Sequence, residues 1–71
     1  GVVYLVSDDG EVMLHSHRDK MGQKINIRDI KNAAIVNKQI AGEDYVVSST
    51  PEESLASHLE AEIPEDQLYG P

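Results

Sequence analysis

Seventy-one residues make one small domain, and a chain of this size buries only about 60% of the surface its unfolded form exposes, so its core is small. Without cysteine it has neither a disulfide staple nor a Cys-based zinc site, and no apolar run approaches the roughly 18 residues of a membrane span; no leader resembles a signal peptide. The net charge of −7 is uneven, with six basic and five acidic groups in residues 1–42 and eight acidic groups with no lysine or arginine after them, a balance that argues against a phosphate-tracking nucleic-acid surface.

In chain order, Val2 to Val6 is a continuous β-branched and aromatic run, VVYLV, which reads as a central strand buried on both faces. Asp8-Asp9-Gly10 separates it from Val12 to Leu14, and Asp-Gly between apolar runs predicts a hairpin. In Glu11 to His15, a period of two places Val12 and Leu14 on one face and Met13 and His15 on the other. After a polar loop that closes on Gly22, Asn26 is a helix N-cap with Asp29 three residues on. A helix is expected from Ile27, with Ile27, Ile30, Ala34 and Asn37 on one stripe, Arg28, Lys31 and Lys38 pointing outward, and Ala41-Gly42 as its C-terminal stop.

Asp44 to Ser49 reads as the third strand, ended by Thr50-Pro51. His58 to Ile63 alternates, so Leu59, Ala61 and Ile63 face one way and the glutamates the other; that period favours a half-buried strand. A helix is the alternative there, because Glu, Leu and Ala are good helix formers and Pro51-Glu-Glu-Ser can start one. Pro64-Glu-Asp-Gln can open a further helix. The expected fold class is α+β, in the order β-β-α-β-β, with sheet and helix in two layers.

The stretch VVYLVSDDGEVMLHSHRDKMG resembles the signature of Cache domains, the extracytoplasmic PAS-like sensor modules of bacterial receptors. In that family an apolar strand ends in an acidic residue and Asp-Gly, a second strand ends in histidine, and a short loop leads to glycine; Asp9, Gly10, His15 and Gly22 fall on those positions. SSTPEESLASHLEAEIPEDQLYG looks like the closing strand pair that leads into a transmembrane helix. The resemblance covers most of this chain but only the C-terminal half of a complete module, and it makes residues 64–71 a juxtamembrane exit. It departs from the family at Ser57 and His58, where aromatics are usual, and at Glu60, where an apolar residue is usual, which would turn the last strand toward solvent.

The resemblance implies a PAS-like antiparallel sheet with a flanking helix. It also implies a sensory domain of a membrane-anchored chemoreceptor, histidine kinase or diguanylate cyclase, on the periplasmic or extracellular side, with any catalytic output domain elsewhere. His15 would lie near the ligand or brace the loop. Tyr4 and Met13 are candidates to line a pocket, although such groups on sheet faces more often form plain core. Arg18 and Lys20, with Lys24, could attract an anionic ligand such as a carboxylate or amino acid; a solvated loop accounts for them as well. The family's dicarboxylate sensors carry an arginine three residues before the histidine, where this chain has Val12, which argues against that specificity. His15 and His17 form His-x-His, but zinc needs three or four ligands, so polar residues at a strand end are the better reading. No cofactor and no catalytic residue is assigned. Open sheet edges lead us to expect a homodimer or strand exchange. The competing reading is a small intracellular interaction domain that offers a sheet edge and an acidic C-terminal half to a basic partner.

Overall fold

The computed structural model describes residues 1–30 and 32–70. Five strands, β1 (Val2–Ser7), β2 (Val12–His15), β3 (Ala34–Ile40), β4 (Glu43–Glu52) and β5 (Ser57–Pro64), are followed by one short helix, α1 (Glu65–Tyr69). They form a single antiparallel sheet in the order β2-β1-β5-β4-β3. The Asp-Gly hairpin, the last strand and the helix opened by Pro64 stand where the residue pattern puts them.

The expected order β-β-α-β-β is corrected to five strands before any α-helix. Asn26 does cap, its Oδ1 accepting from the Arg28 N–H at 3.0 Å, but it caps a single 3-10 turn, Ile27–Asp29. The chain then extends into β3, pairing Ala34 with Ser49 through Ile40 with Glu43. Ala41 and Gly42, read as a helix stop, are a two-residue hairpin turn with φ of 51° and 79°. A left-handed glycine serves either ending, and tertiary pairing of the β-branched Ile35 and Val36 decides for the strand. Lys31 lies outside the described residues. Lys38, expected on a solvated helix face, instead points to the covered side of the sheet.

Two strand expectations also change. β4 does not stop at Thr50-Pro51; it runs on to Glu52, pairing Pro51 with His58. Pro51 lies beyond the last β3 pair, Ala34 with Ser49, where β4 has a neighbour on one side only and a missing N–H is tolerated. In β2 the pairing slips between Leu5 and Val6, so Tyr4 faces His15 and Leu5 faces Leu14, but Val6 faces Val12. This bulge absorbs Met13 and puts Val12 and His15 on one face, with Leu14 on the other, against the strict alternation expected.

The two faces are unlike. One carries Tyr4, Val6, Val12, Val47, Ser49, Glu60 and Glu62 by register, and Val6, Val12, Val47, Ser49 and Glu60 on it are buried. The segment between β2 and β3 covers this face. It is tied down where Ile25 donates to the Gly10 carbonyl at 2.8 Å, Val12 to Gln23 at 2.9 Å and Gly22 to Val12 at 2.7 Å. The opposite face shows Val3, Leu14, Ile35 and Leu59 to solvent, Ile35 at 76%. β1 is therefore central, as expected, yet buried on one face only.

The same comparison reverses the reading of β5. Leu59, assigned to the buried side, is 45% exposed, and Glu60, assigned to solvent, is 2% exposed.

Candidate functional site

Between the covered face and the segment around Ile25 to Ile30 lies a cavity of about 170 Å³. Its floor is sheet: Tyr4 from β1, Val36 and Lys38 from β3, Val47 and Ser49 from β4, and Glu60 and Glu62 from β5; Ile25, Asn26, Asp29 and Ile30 form the roof. An engineered cavity of roughly 150 Å³ accepts benzene, so this one has room for a group of similar bulk.

Each polar group on the floor is set by register. Glu60 pairs across to Ser49, whose hydroxyl donates to Glu60 Oε1 at 2.7 Å. Its second oxygen, Oε2, is sealed from solvent and has no hydrogen-bond partner among the described residues. Burial raises the Glu60 carboxyl above its ordinary value, with the charge of Glu62 acting in the same sense, while the Ser49 hydrogen bond and the charges of His58 and Lys38 oppose it. On the neighbouring strand the Tyr4 hydroxyl donates to Glu62 Oε2 at 2.9 Å. Burial first, then that hydrogen bond and the charges of Glu62 and Glu60, push the phenol well above its usual range, so it stays a donor.

Of the residues singled out from sequence, Tyr4 lines this cavity. His15 stands directly behind it, the two rings stacked at 5.2 Å and 14°, and its Nδ1 accepts from the His17 N–H at 2.8 Å. The imidazole thus braces both the Tyr4 ring and the start of the loop. Met13 belongs to a separate, open groove with Asp8, Asp9 and Leu55. Arg18 and Lys20 sit in an exposed 3-10 turn, Arg18–Lys20, and are not part of the cavity wall. His15 and His17 lie 5.7 Å apart by ring centroids, and no group of three metal-binding side chains gathers among the described residues. His58 spans the site's margin, with Nδ1 3.2 Å from Asp8 and Nε2 2.9 Å from Asn32, joining the β1–β2 turn to the covering segment.

Sequence reasoning passed over Glu60, Glu62 and Ser49. Alternation in β5 is visible, but it does not say which face is covered, and the usual inference assigns glutamates to water. The usable signal is Glu-x-Glu on a strand flanked by two others, where neither face is automatically solvent.

No protein-family model and no curated protein sequence matches the chain. Among solved structures, it is similar to the ligand-binding domain of the Pseudomonas aeruginosa amino acid chemoreceptor PctB in complex with L-Arg, at 19% identity and a TM-score of 0.67, over 97% of this chain and 33% of that one. The two chains share a fold. The chain spans about a third of the length of the PctB domain. No helix among the described residues is long and apolar enough to cross a membrane.

Proposed function

We propose that this chain forms part of an extracytoplasmic sensory domain of a membrane-anchored bacterial receptor, a chemoreceptor, histidine kinase or diguanylate cyclase. It would bind a small molecule in the cavity beneath Ile25 to Ile30. The observation that carries the reading is that cavity itself, a polar-floored space between the sheet and its covering segment in a fold shared with a chemoreceptor domain that was solved with an amino acid. In this reading Tyr4 contacts the ligand and His15 holds the Tyr4 ring. β5 supplies the route for the signal, because the strand that carries Glu60 and Glu62 runs through Pro64 directly into α1. A ligand that prefers one position of β5 shifts the population of α1 positions by its difference in affinity for the two. Catalysis, where the receptor has any, belongs to an output domain outside this chain.

This segment has no cysteine, so a single one introduced into it reports its location by comparison with the unsubstituted protein. Lys20→Cys, on the exposed turn, is expected to react with a membrane-impermeant maleimide in intact cells that express the natural full-length protein. Labelling only after lysis would place the domain inside the cell and favour an intracellular interaction domain. The sensing half is checked by a thermal-shift screen with amino acids, small carboxylates and divalent metals, in which a uniformly flat response counts against ligand binding.

The homodimer would form through β3, whose outer edge has no strand beside it among the described residues. A monomeric mass by sedimentation at high concentration would contradict it.

A further inference from the structure

The cavity lining is negative. Glu60 and Glu62 on the floor and Asp29 in the roof face one cation, Lys38, and Lys38 is an exposed residue that forms no ion pair with Glu60 among the described residues. A buried carboxylate oxygen without a partner is costly, because the group has given up water and received no donor in exchange. Glu60 Oε2 is such an oxygen, on a residue that is 98% removed from solvent, the complement of its 2% exposure. Its companion Oε1 is held by Ser49, and Glu62 is held by Tyr4, so the carboxylates are fixed in place before any ligand arrives. Glu60 is itself one of the residues that line the cavity, so its free oxygen stands at the wall that a ligand would meet.

We infer that the cavity receives the cationic head, an ammonium or guanidinium group, of a small organic ligand, with Glu60 as its counter-ion and Glu62 beside it. This deepens the sensory reading and rests on it. Charge-assisted hydrogen bonds from such a head supply the donor that Glu60 lacks. A carboxylate head finds no such site: three of the four charged cavity groups repel it, and the cations first considered for that role, Arg18 and Lys20, stand outside the wall.

The test is isothermal titration calorimetry on the natural full-length protein with L-arginine, agmatine and putrescine, each a cation, and with 1,4-butanediol and succinate as the uncharged and anionic counterparts of putrescine. At least one of the cations is expected to bind while butanediol and succinate do not, and Glu60→Gln is expected to weaken that binding roughly 10- to 100-fold, the usual range for loss of a charge-assisted pair. Glu62→Gln is a second variant. Its amide oxygen still accepts from Tyr4, so the fold is kept while one negative charge is removed, and a smaller loss is expected. Binding of succinate in preference to the amines, or equal amine affinity in Glu60→Gln, overturns the cationic assignment and leaves small-molecule sensing intact. No heat with any compound, together with a flat thermal-shift screen, overturns both.

Discussion

Replacing Gly10 by alanine is expected to remove about 2–4 kcal/mol of stability, from a strained backbone and a displaced hydrogen bond together. Gly10 has φ of +96°, and a Cβ there would lie 2.6 Å from the carbonyl oxygen of Ile25 and 3.2 Å from Ile27 Cγ2. The backbone atom cannot swing aside, because Ile25 donates to the Gly10 carbonyl at 2.8 Å and so holds the covering segment against the hairpin. In a small domain whose whole stability is roughly 0.05–0.15 kcal/mol per residue, that loss is a large share of the total. Gly42→Ala is the control. It has a similar φ of +79° with no atom within 4 Å of the added carbon, so it carries the dihedral cost alone, about 1–2 kcal/mol. Urea unfolding of the two variants separates the terms, and equal losses would mean that close approach to Ile25 is not what selects glycine at position 10.

Glu60→Gln is expected to raise stability at neutral pH and to leave it unchanged in acid. Folding raises the Glu60 carboxyl above its ordinary value, by burial first. A raised folded value means that the native state holds this proton more tightly than the unfolded chain does. The associated stabilisation is therefore complete below the ordinary carboxylate range and disappears as pH rises through the folded value. The groups facing Glu60 divide: Glu62 pushes its value up, while Ser49, His58 and Lys38 pull it down. At pH 7–8 the ionised carboxylate is a liability that a neutral amide of the same shape removes, and the amide oxygen still accepts from Ser49. The amide nitrogen that replaces Oε2 is still without a partner, so the gain comes from removing the buried charge and should be on the order of 1 kcal/mol, which is about 4–8 °C in a domain of this size. Thermal unfolding of ligand-free protein at pH 4 and pH 8 checks it. A variant less stable than its parent at pH 8, or a difference independent of pH, would show that Glu60 is fully compensated in the fold. A gain in stability with a loss of cation binding in the same variant would mark the residue as one kept for its ligand.

Much of the sheet was legible because its signals are local. Asp9-Gly10 specifies a hairpin within four residues, and the alternation of β5 distinguishes strand from helix without reference to the rest of the chain. The errors arose where one local signal served two structures. Asn26 caps a 3-10 turn as well as an α-helix, and Ala41-Gly42 turns a hairpin as well as ending a helix, so Ile35 to Ile40 was decided by its pairing with β4. The bulge in β2 was invisible for a related reason. It depends on how β2 meets β1, and it moved His15 onto the face of Tyr4 and Val12. The candidate site was harder still. Its glutamates sit on a strand whose two sides look ordinary in sequence, one apolar and one charged, and the fold covers the charged one.

The pairing of β1 with β5 has a kinetic consequence. Ser7 meets Ser57 and Val2 meets Glu62, so the centre of the sheet joins the two ends of the described chain, whereas β3 and β4 meet across a two-residue turn. Closing a long loop costs entropy before any contact repays it, and such pairings form slowly. The β3–β4 hairpin can assemble early, but Glu60 and Glu62 reach Tyr4 only when the first strand docks on the last. The cavity floor is therefore completed in the same late step that completes the domain, and a partly folded chain has hairpins but no binding site.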